Sequence, residues 1–111
     1  MQINVIYKII FVNFKMKTTK KYPIPSQTAY TMYSITGCKY CDKSKELIKG
    51  KNKECKTNNC DKYVATLRDS DDFYAFMNKY TTRNYKYFPM IFNNGKFIGG
   101  YQELLAHINT I

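Results

Sequence analysis

Two cysteines two residues apart, Cys38-Lys39-Tyr40-Cys41, stand where a short β-branched and aromatic run over residues 28–33 gives way to a helical pattern. A sulfur at the first position of a helix lies at the positive end of the macrodipole, beside backbone N–H groups that have no intrahelical partner. Both favour the thiolate, which is the nucleophilic form of cysteine. A second sulfur three positions on is about one turn away, close enough to donate to that thiolate or to close a disulfide with it. The same spacing also makes half of a zinc site, so the pair alone leaves redox and metal chemistry open.

Downstream, Phe88-Pro89-Met90-Ile91-Phe92 reads as a strand with a proline at its entrance, and Asn93-Asn94-Gly95 as a hairpin turn. Lys96-Phe97-Ile98 is the return strand, and Gly99-Gly100 opens a last helical stretch. A proline at a strand entrance marks a bulge or a cis peptide. A glycine pair before a helix lets backbone N–H groups come close to an anion. Taken together with the CxYC pair, in this order and spacing, the stretch resembles the C-terminal half of a glutaredoxin, and the resemblance runs from about residue 28 to residue 108.

The elements that must position these residues form the order strand–helix–strand–helix–strand–strand–helix. The first strand is expected over residues 28–33. A helix over 39–49 has Cys41, Ser44, Leu47 and Ile48 on its inner face and ends at Gly50. Residues 51–61 are polar and lysine-rich and read as a loop, and residues 62–67 as the second strand. Asp69-Ser70-Asp71-Asp72 supplies acidic capping for a helix over 73–80, and the closing helix starts near Tyr101 with Leu104, Leu105 and Ile108 facing in. A chain that opens on a βαβ unit and closes on a hairpin gives an α/β, thioredoxin-like fold: a four-stranded mixed sheet with helices on both faces.

The resemblance implies a site. Cys38 is the exposed nucleophile and Cys41 the resolving thiol, the two forming a redox-active disulfide. Tyr40 packs beside bound glutathione. Pro89 is a cis-proline that holds the Phe88 backbone against the cysteinyl part of glutathione. Gly99-Gly100, Tyr101 and Gln102 receive the γ-glutamyl carboxylate, and Lys86, or else Arg83, the glycyl carboxylate. The chain departs from the family at three places: Lys39 replaces the usual proline, Ile35 a common lysine, and Tyr87-Phe88 the usual Thr-Val. Lys39 places an ammonium near the Cys38 sulfur and is itself a candidate glutathione contact.

The function implied is glutathione-dependent reduction of protein disulfides and protein–glutathione mixed disulfides, with glutathione as co-substrate and no organic cofactor. The alternative within the family is a dimer holding a [2Fe–2S] cluster through Cys38 and glutathione thiolates. Cys55 and Cys60 extend the spacing to C-x2-C-x13-C-x4-C, which resembles a zinc module only loosely. Incidental thiols or a peripheral disulfide are the other readings for that pair. His107, the single histidine, is expected at the surface or core edge.

At 111 residues the chain is one domain. Four cysteines without a secretory signal suit a reducing, cytoplasmic setting, with packaging into a particle as the alternative. The net charge is +10 and the first 41 residues contain no acid. Scattered lysines with little arginine fit a compositional bias, while a basic arm that binds nucleic acid is the competing explanation. The apolar start, broken by Gln2, Asn4, Lys8 and Asn13, is shorter than a membrane span and lacks a small-residue cleavage site. Residues 1–27 therefore read as a basic, flexible extension, with 22–26 as a linker and Met16 as an alternative start. Residues 28–111 form the catalytic domain, expected to be a monomer.

Overall fold

The computed structural model describes residues 22–82 and 84–111. The expectations for residues 1–21, and for Arg83, lie outside this range. Strand β1 (Tyr30–Ser34) is followed by helix α1 (Lys39–Gly50), strand β2 (Cys55–Asn59), a 3-10 turn (Asp61–Val64), helix α2 (Leu67–Met77), strands β3 (Met90–Asn93) and β4 (Lys96–Gly99), and helix α3 (Tyr101–Ile108). The sheet order is β2-β1-β3-β4. β1 runs parallel to β2 and antiparallel to β3, and β3 pairs antiparallel with β4. This is the thioredoxin-like mixed sheet anticipated from the element order.

All five residues of β1 are buried, as a central strand covered on both faces requires. Tyr30 and Met32 face one layer with Ile91, Cys41, Ile48, Leu104 and Ile108, which places α1 and α3 there. Tyr33, Met90 and Phe92 face the other layer with Phe73 and Met77 of α2. Asn94 and Gly95, both at positive φ, make the two-residue turn between β3 and β4. No helix among the described residues is long and apolar enough to cross a membrane.

The middle of the chain departs from expectation. The stretch read as a loop contains β2, and the stretch read as a strand (62–67) holds most of the 3-10 turn and the start of α2. β2 is an edge strand with only Cys55 and Asn58 half-buried, so its sequence, CKTNN, has no apolar alternation to read. Tyr63 and Val64 are apolar because that single turn packs against the α2 layer. Helix α2 begins six residues earlier than expected and ends at Met77. Its N-cap is Thr66, whose Oγ1 accepts from Asp69 N–H at 3.1 Å, and the acidic run lies inside the helix.

The segment read as a linker is also packed. Tyr22 is buried, its ring edge-on to Tyr63 and Phe73 at centroid distances of 4.9 and 5.4 Å. Its hydroxyl donates to Asp72 Oδ2. Tyr33 Oη donates to the Pro23 carbonyl at 2.6 Å, and Ser26 N–H to Thr31 Oγ1 at 2.8 Å.

Candidate active site

Helix α1 is amphipathic at the spacing its buried residues require, Cys41, Ser44 and Ile48, with Asp42 in the first turn and Lys49 in the last, both matched to the macrodipole. Cys38 is the N-cap rather than the first helical residue: its backbone is extended and its Sγ accepts from Cys41 N–H at 3.1 Å. Cys38 and Cys41 are joined as a disulfide, Cα to Cα 5.2 Å. Cys41 is buried and Cys38 half-exposed. The outer sulfur is thus the one open to attack and the inner one the one sheltered.

The Phe88–Pro89 peptide is cis, as the resemblance implies. Phe88 and Cys38 pack against the same apolar cluster that holds Cys41. The Phe88 ring lies parallel to Phe73 at 6.4 Å, which ties this loop to α2. Beside it is a groove of about 290 Å³ lined by Tyr40, Phe88, Pro89, Tyr101, Gln102 and Glu103. Tyr40, 47% exposed, leans on Tyr101 with 5.3 Å between ring centroids. The Lys43 ammonium lies 5.9 Å from each of those rings, and Lys39 stands 5.9 Å from Tyr40.

Of the residues expected in the site, Tyr40, Phe88, Pro89, Tyr101 and Gln102 converge on this groove. Lys86 does not line it; its ammonium sits 5.7 Å from the Tyr74 ring on α2. Lys39 stands at the rim beside Tyr40. Tyr87 is exposed and pairs edge-on with Tyr85, away from the groove lining. Gly100 is the N-cap of α3, and its N–H already donates to Glu103 Oε1 at 2.9 Å. The N–H groups of Tyr101 and Gln102, in the first turn of α3, have no partner within the helix.

Glu103 belongs to the motif that carries the resemblance but receives no role there, although a glutamate three residues after a helix-opening glycine is a capping signal. Sequence reading passed over Asp61, which hydrogen-bonds Thr36 two residues ahead of Cys38. No local pattern marks that contact, because it joins residues 25 apart.

The four cysteines do not converge on one point. Cys41 lies in the α1/α3 layer with Cys55 at its edge, and Cys60 in the α2 layer. Cys55 opens β2 and Cys60 follows its last residue; these free thiols are separated by the length of the strand, about 16 Å, too far for a disulfide. Burial pushes the Cys60 thiol up to about 12 and raises Cys55 as well. His107 is at the C-terminal end of α3, its Nε2 2.9 Å from Tyr30 Oη.

The sequence profile of the glutaredoxin family matches residues 30–98. No protein of curated function matches the chain. Among solved structures, glutaredoxin 1 from Francisella tularensis complexed with cacodylate is 24% identical, with a TM-score of 0.61, over 73% of this chain and 92% of that one. The buckwheat glutaredoxin–glutathione complex is 22% identical, with a TM-score of 0.61, over 77% and 72% of the two chains. A dithiolic glutaredoxin from Trypanosoma brucei brucei is 23% identical, with a TM-score of 0.59, over 75% and 79%. These likenesses reproduce the fold, and the profile spans the CxYC helix start, the cis-proline strand and the hairpin together. A chain with that profile across most of its length, folded in this way around a Cys38–Cys41 disulfide, belongs to the glutaredoxin family.

Proposed function

We propose that the chain is a glutathione-dependent thiol–disulfide oxidoreductase that reduces protein–glutathione mixed disulfides and protein disulfides. The observation that carries this is the Cys38–Cys41 disulfide at the head of α1, its outer sulfur half-exposed and packed in one cluster with the residue before the cis-proline. The buckwheat relative is a complex with glutathione, and the groove here offers the same kind of ligand two aromatic faces and the first N–H groups of α3.

In the first step the Cys38 thiolate attacks the glutathionyl sulfur of a mixed disulfide. The S–S bond breaks, the protein thiolate leaves and takes up a proton, and Cys38 carries the glutathionyl group. A glutathione thiolate then attacks that group's sulfur, releasing glutathione disulfide and restoring the Cys38 thiolate. For a protein disulfide, Cys38 forms the mixed disulfide with the substrate and Cys41 displaces it, leaving the Cys38–Cys41 bond seen here. Two glutathiones reduce that bond and leave as glutathione disulfide. Tyr40, Phe88, Pro89, Tyr101 and Gln102 hold the tripeptide. Gly100 shapes the start of α3, and Lys39 and Lys86 contribute positive potential for its carboxylates.

A reducing, cytoplasmic setting goes with this proposal, since turnover draws on a reduced glutathione pool. A cluster held between two subunits would take the Cys38 sulfur as a ligand, which requires the Cys38–Cys41 bond to be reduced first. The test is reduction of a glutathionylated protein, coupled to glutathione and glutathione reductase. Turnover with glutathione supports the proposal. Turnover only with thioredoxin reductase would overturn it.

A further inference from the structure

The loop that delivers Cys38 is held from one side by the end of β2 and the start of the 3-10 turn. Asp61 Oδ1 accepts the Thr36 N–H at 2.9 Å, and Asp61 Oδ2 accepts the Thr36 hydroxyl at 2.5 Å. Asn59 Nδ2 donates to Thr36 Oγ1 at 3.3 Å, while Asn59 Oδ1 accepts from Asp61 N–H at 2.9 Å. Cys60 N–H donates to the Ser34 carbonyl at 2.7 Å. Four of these bonds join residues 34–36 to residues 59–61, and the Asn59–Asp61 bond braces the second segment. Between this clamp and the nucleophile stands only Gly37, at φ +76, and a Cβ there would meet nothing within 4 Å. The glycine therefore contributes no packing of its own to fix the chain, and its backbone is the most permissive of any residue. What fixes the approach to Cys38 is Thr36 on one side and the Cys41 N–H on the other.

We propose that Asp61 is a positioning residue: by gripping both donors of Thr36 it holds Cys38 Sγ on the N-terminus of α1, where the thiolate is stabilised. The inference rests on the reading of Cys38 as the nucleophile. It makes a prediction of definite sign, because two effects of Asp61 oppose each other. As a bare negative charge near the site it would disfavour the Cys38 thiolate, so its removal would lower the thiol pKa. As a clamp it keeps the sulfur on the helix N-terminus, so its removal raises the pKa.

The experiment compares the parent chain with Asp61→Ala, Thr36→Val and Thr36→Ser. Two readouts are taken: the pH profile of Cys38 alkylation in the reduced protein, and steady-state kinetics with a glutathionylated substrate. Positioning predicts that Asp61→Ala and Thr36→Val both move the alkylation midpoint up by about half a pKa unit. Both variants lower kcat about tenfold, the scale expected when a reacting group loosens by a fraction of an ångström. The KM for glutathione stays within about twofold. Thr36→Ser, which keeps the hydroxyl, behaves as the parent. If Asp61→Ala does not fold, the Thr36→Val and Thr36→Ser pair decides alone. A midpoint that is unchanged or lowered in a folded Asp61→Ala or Thr36→Val overturns the proposal. A parent chain that turns over no glutathionylated substrate overturns the oxidoreductase reading instead, and the alkylation profiles still judge the clamp.

Discussion

The backbone N–H of Cys41 donates to Sγ of Cys38 at 3.1 Å, so one sulfur is both the exposed end of the disulfide and the N-cap acceptor of α1. The two roles can be separated by substitution. Serine is among the best N-cap residues, so Cys38→Ser keeps the helix start while removing the nucleophile. Turnover is expected to vanish, with the melting temperature staying near that of the reduced parent. Cys41→Ser is expected to keep reducing glutathionylated substrates, since external glutathione resolves the intermediate, and to lose reduction of protein disulfides. Equal loss on both substrate types would show that Cys41 is needed in every cycle.

Tyr22 supports stability rather than chemistry. Its ring fills the space beside Tyr63, Phe73 and Phe76, so Tyr22→Ala should lower the unfolding free energy by about 2–4 kcal/mol. Tyr22→Phe loses only the hydrogen bond to Asp72 and should lower it by about 0.5–1.5 kcal/mol. Urea denaturation checks both. Truncation before Thr28 should reduce the midpoint at least as much as Tyr22→Ala does, because it also removes the bonds of Pro23 and Ser26. A midpoint indifferent to Tyr22→Ala would mean that the segment's packing contributes nothing.

These two regions differ in how far the sequence revealed them, and the reason is physical. The CxYC pair, Phe88-Pro89, the Asn94-Gly95 turn and the glycine pair are local signals, each made by neighbouring residues whose backbone demands are specific. The site assembled from them was legible for that reason. β2 carries no apolar alternation, because an edge strand with one half-covered face does not require it. Thr66 caps α2 with a single hydroxyl, and the louder acidic run behind it drew the predicted start too far along the chain. The seating of Tyr22, the grip of Asp61 on Thr36 and the placement of Lys86 over Tyr74 join residues far apart in sequence. No periodicity records such contacts.

Cys60 sets an alkaline limit on stability. Its thiol is wholly buried and its pKa rises from 9.0 to about 12, chiefly by desolvation. Above about pH 9 the unfolded chain gives up this proton while the folded chain keeps it. The folded state then binds more protons, and stability falls as pH rises, by about 1.4 kcal/mol per pH unit from this group, until about pH 12. The phenols of Tyr22 and Tyr33 are also raised, by burial, and steepen the fall above pH 10. The contribution of Cys60 is therefore read between pH 9 and 10, as the difference in slope between the parent and Cys60→Ala. Identical slopes in the two proteins would mean that the thiol ionises in the folded state as readily as in the unfolded one. At neutral pH Cys60 should also resist alkylation under conditions that modify reduced Cys38 completely.

The last prediction concerns the start of α3, where one glycine decides whether the groove keeps its shape. Gly99 ends β4 at φ +132, a conformation that L side chains rarely adopt, and a Cβ there would stand 2.8 Å from Glu103 Cγ and 2.9 Å from its Oε1. Gly99→Ala thus introduces backbone strain of about 1–3 kcal/mol and pushes aside the carboxylate that accepts the Gly100 N–H. Glu103 also lines the groove with Tyr101 and Gln102, so its displacement disturbs the wall where the tripeptide's γ-glutamyl end is proposed to sit. The expected result is a KM for glutathione raised about fivefold or more with kcat little changed, the pattern of lost ground-state binding. A fall in the unfolding free energy of about 1–3 kcal/mol should accompany it. Glu103→Gln separates the two effects, because the amide oxygen can still accept from Gly100 N–H while the charge is gone. Its stability should stay close to the parent's, and any rise in KM then reports the charge of Glu103 at the groove. Gly99→Ala with an unaltered KM would place the glutathione contacts away from the head of α3.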